Sequence, residues 1–260
     1  MNYCLSAQVG SEYMAKAQEI RVKYKYLDTL LDIYEINPEA SIILTIASKE
    51  DKSKIRWEEI EKYNKMWQNK VIIETDSFDI MDACKALDLK FFYAIPVNTF
   101  YELKALADYG CCDVKIDAPL THMLDKIENF DITIRMCPNV AYYSYIPREN
   151  GVIGSWVRPE DVEAYEPYVD VFEFEDCDAK KERALYRVYA EQKSWLGPLN
   201  GLISNLNYPG DSKLVPEDFG IIRRFCGQRC TDGMNCSVCY RILDMAQPEK
   251  VRKIFDKVVQ

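Results

Sequence analysis

KFFYAIPVNTFYELKALADYGCCDVKID, residues 90–117, reads as strand, helix, strand. KFFYAIPV (90–97) is a continuous apolar run rather than a strict alternation, the pattern of a parallel strand covered on both faces. Thr99 follows as an N-cap with Glu102 three residues on, and Gly110 closes the helical stretch. CDVKIDAP (112–119) then resumes the strand pattern.

The same period runs outward in both directions. Strand-like runs occur at NYCLSAQ (2–8), SIILTIA (41–47), KVIIETD (70–76), DITIRMCP (131–138) and VDVFEFED (169–176), with GLISNL (201–206) a weaker eighth. Helical stretches lie between them. RWEEIEKYNKMW (56–67) places Trp57, Ile60, Tyr63, Asn64 and Trp67 near one face, and FDIMDACKALDL (78–89) repeats Ile80, Met81, Cys84 and Leu87. Strand-helix alternation means βαβ units and a parallel sheet. Eight units in about 250 residues is the size of a (β/α)8 TIM barrel, here with a weak last strand. An open doubly wound sheet is the alternative. No G-x-G-x-x-G follows the first strand and no P-loop occurs, so nucleotide binding has no motif behind it. The connections 11–40 and 139–160 are long, and the second is placed to lie over a barrel mouth.

Composition bounds the function. The chain has 260 residues, 48% hydrophobic and 29% charged, which is ordinary globular usage. Its net charge of -9 argues against broad electrostatic capture of nucleic acid or anionic membrane. No apolar run is long enough to span a bilayer, and the N-terminus has no basic-then-apolar signal pattern. The expectation is a cytoplasmic protein, in which the 10 cysteines are thiols or metal ligands rather than disulfides.

RRFCGQRCTDGMNCSVCYRIL (223–243) holds Cys226, Cys230, Cys236 and Cys239 within fourteen residues, spaced C-x3-C-x5-C-x2-C. Structural zinc usually uses two knuckles set a dozen or more residues apart. The shorter gap here suits a loop wound around an iron–sulfur cluster, with one zinc ion the alternative. From 221 onward, eight cations face four carboxylates (8 − 4 = +4), leaving the first 220 residues at -13 (-9 − 4). The expected organisation is a barrel over 1–220, then a metal-binding loop and terminal helix over 221–260.

In a TIM barrel, chemistry sits at the C-terminal ends of the strands. Those ends carry Gln8, Glu74, Asp76, Asn98, Lys115, Asp117, Arg135, Cys137 and the run Glu173 to Cys177. Lys115 is placed either to form a Schiff base or to pair with a carboxylate such as Glu74 or Asp117. Asp76 is placed to cap the following helix, Cys137 to pack, and His122 to lie at the surface or to cap. In GVIGSWVRPEDVEAYEPYVDVFEFE (151–175), Pro159 suits the first turn of a helix, with Glu160 and Asp161 at its positive end. Arg158 then projects where the chain enters that helix.

WVRPEDVEAYEPYVDVFEF, with AIPVNTFYELKALADYGCCDVKID, resembles the collagenase-like peptidase family U-32 over roughly the middle half of the chain. The resemblance implies a TIM-like barrel bearing an iron–sulfur cluster on four cysteines, and a role for Trp156 and Arg158 at the mouth. Members are linked to hydroxylation of RNA or quinones and to proteolysis. This chain departs from the family in crowding its cysteines into 226–239 and in lacking a Gly-Arg after VFEFEDCD. Taken together, the sequence predicts a [4Fe–4S] barrel enzyme performing oxygen transfer or redox modification of an RNA base or small aromatic. Arg135, Arg158, Glu74, Asp76, Asp117 and Lys115 would orient substrate, with Trp156 and Asn98 at the cofactor. The alternative is a non-catalytic assembly protein with a structural zinc, meeting a protein partner through tyrosines such as those of AYYSY (141–145).

Overall fold

Eight parallel strands close into a barrel in the computed structural model. It describes residues 1–97, 99–116, 131–139, 142–143, 154–155, 157, 159–175, 177–193 and 202. The strands are β1 (Asn2–Ser6), β2 (Glu19–Lys23), β3 (Ser41–Thr45), β4 (Val71–Thr75), β5 (Lys90–Val97), β6 (Asp113–Ile116), β7 (Thr133–Met136) and β8 (Val171–Glu173). Each pairs in parallel with its sequence neighbour, and β8 pairs back onto β1. This unit comprises Met1–Ile116, Phe130–Met136 and Val169–Glu173.

One strand stands where none was expected. EIRVK (19–23) lies inside the long 11–40 connection, and it forms β2, paired along its whole length with β3. The expected eighth strand at 201–206 is not needed: the barrel closes when β8 meets β1, and Leu202 is helical. No last βα unit is therefore missing for a metal loop to replace.

The helices form where the sequence signals them. Short α1 (Ser11–Met14) and then α2 (Leu30–Ile36), α3 (Trp57–Met66), α4 (Phe78–Ala86) and α5 (Phe100–Tyr109) connect successive strands. They cover outward-facing strand residues such as Leu5, Ile20, Ile42, Leu44, Ile73 and Val114, all buried. Asn64 accepts from the backbone N–H of Val71 at 3.1 Å, tying the end of α3 to the start of β4. On α5 the capping box is complete: Thr99 accepts from Glu102 N–H at 3.1 Å while the Glu102 carboxylate accepts from Thr99 N–H at 3.1 Å. Gly110 ends that helix at φ 98°, a left-handed turn that suits glycine. Thr99→Ala is expected to lower stability by about 1 kcal/mol in urea unfolding. A change indistinguishable from zero would mean that the cap contributes nothing.

A second unit comprises Asp117–Asn129, Cys137–Tyr168 and Phe174–Gln260. Within it, Tyr142–Tyr143 pair antiparallel with Gly154–Ser155, and Pro159 opens a 3-10 helix over Pro159–Ala164 where an α-helix was expected. Asp178 caps the helix α6 (Ala179–Ala190), accepting from Lys181 N–H at 2.8 Å. Buried Tyr189 of α6 donates its hydroxyl to Val157 O at 2.5 Å. The expected metal loop at 221–260 lies outside the described residues.

Candidate functional site: a ring of alternating charge

Barrel closure sorts the inward-facing residues by height. Residues paired across strands face the same way, and the register links Cys4 to Glu19 and Glu173, Arg21 to Ile43, Ile43 to Ile72, Glu74 to Phe92, Phe92 to Asp113, and Arg135 to Lys115 and Val171. Because the strands tilt, residues at one height come from alternate strands. Three layers result. The N-terminal layer is Glu19, Ile72, Asp113 and Val171, and the middle layer is Cys4, Ile43, Phe92 and Arg135. The C-terminal layer, where barrel chemistry is found, is Arg21, Glu74, Lys115 and Glu173.

That last layer contains only charges, and their signs alternate around the barrel. All four contacts of the ring are made. Arg21 Nε lies 3.0 Å from Glu74 Oε2. Lys115 Nζ lies 2.7 Å from Glu74 Oε1 and 3.2 Å from Glu173 Oε2. Arg21 Nη2 closes the circle by donating to Glu173 Oε2. The side chains of Glu74, Lys115 and Glu173 are at most 4% exposed, whereas that of Arg21 is 16% exposed. Thr45, one step along β3, donates its hydroxyl to Glu74 Oε2 at 2.7 Å.

Below the ring, Arg135 turns its guanidinium toward the N-terminal end. It meets Asp113 Oδ2 at 2.6 Å through Nε and the two oxygens of Glu19 at 2.6 and 2.9 Å. The guanidinium also lies 4.8 Å from the centroid of the Phe92 ring. Arg135 Nη1 reaches within 3.9 Å of Glu173 Oε1, so Glu173 links the two clusters.

Environment sets the charge states. Burial alone would raise the Glu74 carboxyl, but Arg21, Lys115 and the hydrogen bonds from Lys115 and Thr45 outweigh it and bring it to about 2. Glu74 is therefore a carboxylate at neutral pH. Burial likewise opposes the charge on Arg135, and Asp113 and Glu19 overcome it, holding its pKa above the usual arginine value. The Cys4 thiol is pushed up to about 12, chiefly by burial, which makes it packing rather than a nucleophile.

The expected site residues divide accordingly. Glu74 and Lys115 come together in the ring, and the pairing expected for Lys115 is made with Glu74. Arg135 does not reach the mouth, because Glu19 and Asp113 engage its fully buried guanidinium from below. Asp76 does not cap α4; Ser77 does, accepting from Ile80 N–H. Asp76 instead accepts from Ser48 N–H at 2.6 Å and Ser48 Oγ at 2.9 Å, joining the loops after β3 and β4. Cys137 is buried, as a packing residue would be. Asn98, Asp117, His122, Trp156, Arg158, Cys226, Cys230, Cys236 and Cys239 lie outside the described residues. Glu19 and Arg21 escaped the sequence reading, although Glu19, Arg21 and Lys23 alternating with Ile20 and Val22 carry a period of two.

No helix among the described residues is long and apolar enough to cross a membrane. No family model and no curated protein matches the sequence. Among solved structures, phosphoribosylanthranilate isomerase from Thermotoga maritima is 12% identical, with a TM-score of 0.48, covering 74% of this chain and 98% of that one. Phosphoribosyl anthranilate isomerase in complex with reduced 1-(o-carboxyphenylamino)-1-deoxyribulose 5-phosphate is 11% identical, with a TM-score of 0.49, covering 74% of this chain and 97% of that one. The barrel assignment itself rests on the strand order and register of this chain.

Proposed function

We propose that the chain is an iron–sulfur barrel protein of the U-32 type that carries out oxygen transfer or redox modification of an RNA base or small aromatic substrate. The observation that carries this reading is the run of Cys226, Cys230, Cys236 and Cys239. Four cysteines within fourteen residues are a donor set that suits a [4Fe–4S] cluster, and these residues would hold it. A bound cluster would supply one-electron chemistry. The barrel supports the reading by placing Glu74 and Lys115 in its C-terminal layer, joined by Arg21 and Glu173. Arg158 and Asp117 would orient a polar substrate at the mouth, with Trp156 and Asn98 beside the cofactor.

A second reading is favoured by the ring itself. Its two cations and two carboxylates neutralise one another and are mostly buried, as in a structural core. On that reading the barrel is an assembly or binding protein. The cysteines would hold one structural zinc, and tyrosines of 141–145 would meet a protein partner.

Metal content separates the two. Protein purified anaerobically is expected to be brown, with about four irons per chain, and Cys226→Ser is expected to lose them. A colourless protein retaining one zinc would replace the first reading with the second. Retention of the metal by Cys226→Ser would show that the ligands lie elsewhere.

A further inference from the structure

We propose that Lys115 condenses with a small aldehyde or ketone to form a protonated imine, a reaction distinct from the redox activity above. The geometry of the ring carries the inference. Lys115 stands in the C-terminal layer of the barrel, and its amine touches two carboxylates, Glu74 Oε1 at 2.7 Å and Glu173 Oε2 at 3.2 Å. One carboxylate can hold the ammonium in place while the other moves its protons. Both lie within hydrogen-bond reach before any substrate arrives.

The step balances without an external reagent. Glu74 takes a proton from the ammonium, and the freed lone pair attacks the carbonyl carbon, forming the C–N bond. A proton passes from nitrogen to the former carbonyl oxygen. Glu74 then returns its own proton to that hydroxyl, the C–O bond breaks, and water leaves. Of the three ammonium hydrogens, two depart in the water and one remains on the imine nitrogen.

Charge is the reason this ring suits the reaction. Lys115 begins as a cation and ends as a cation, so the alternation of Arg21, Glu74, Lys115 and Glu173 is the same before and after. The carboxylates that stabilise the ammonium also stabilise the iminium. The neutral amine is the species they disfavour, and it is needed only in passing, with Glu74 beside it to hold the proton. An amine whose side chain is 4% exposed also sits where bulk water, which would hydrolyse the imine, is scarce.

Reductive trapping tests the assignment on the wild-type chain. The full-length protein is incubated with pyruvate or with dihydroxyacetone, reduced with borohydride, and mapped by peptide mass spectrometry. Lys115 is expected to be labelled by at least one of the two probes about tenfold faster than the exposed Lys104. Glu74→Gln, checked for folding by circular dichroism, is expected to slow that labelling by about 100-fold. Labelling of Lys115 no faster than that of Lys104 with both probes overturns the proposal, whatever the variant does.

Discussion

Replacing Arg135 with methionine is expected to lower the unfolding free energy by about 3–5 kcal/mol, read from urea unfolding at neutral pH. The size follows from what the substitution leaves behind. Arg135 is fully buried, and its guanidinium satisfies Asp113 and Glu19, whose side chains are 4% and 12% exposed. Methionine fills much of the volume but leaves those carboxylates facing each other in a closed barrel without the guanidinium that bridges them. Water cannot take the place of the arginine as it would at a surface pair, where the same change costs about 1 kcal/mol or less. A triple variant, Arg135→Met with Glu19→Gln and Asp113→Asn, removes the stranded charges and should recover part of the loss. If Arg135→Met alone costs under about 1 kcal/mol, the lower cluster is not the electrostatic keystone described here. A triple variant less stable than the single one would mean that the hydrogen bonds outweigh the charges.

The charged interior also explains what could be read in advance. Seven strands announced themselves because their outward faces must be apolar under the helices, while inward residues such as Ile43, Ile72 and Phe92 kept the runs continuous. Where the inward positions are Glu19 and Arg21, with exposed Lys23 next in the alternation, the run breaks and EIRVK passes for part of a helical connection. The same charges that hid β2 supply a corner of the ring. The site was therefore legible only in part. Glu74 and Lys115 stand at recognisable strand ends, but Arg21, the second cation that joins Glu74 to Glu173, belongs to β2, which the apolar pattern does not reveal. Arg135 showed the opposite limit. Its place at the end of β7 was plain, yet nothing local to DITIRMCP says that a long side chain turns down toward Asp113 and Glu19. That direction is set by carboxylates contributed from β2 and β6, far away in sequence.

Acid should weaken the upper ring by protonating the Glu74 carboxylate. The Glu74 carboxyl is lowered from 4.5 to about 2 in the folded protein, against burial, by Arg21, Lys115 and its hydrogen bonds. A depressed carboxylate stabilises the fold fully above the unfolded-state pKa, and that contribution is lost as pH falls through the folded value. The window is thus about pH 5 down to about pH 2, and the lost stabilisation is roughly 3 kcal/mol. Glu74→Gln cannot titrate, so comparing it with the wild type isolates this group from the other carboxylates. The wild type is expected to be the more stable at neutral pH, with the gap narrowing by roughly 3 kcal/mol as pH falls across that window. Urea unfolding at a series of pH values reads the gap directly. Two curves that stay parallel would show that Glu74 titrates alike in both states and that Arg21 and Lys115 do not hold its charge. Lys115→Met sharpens the result. Without the ammonium at 2.7 Å the carboxyl should move up toward its ordinary value, so stability would begin to fall at a higher pH than in the wild type.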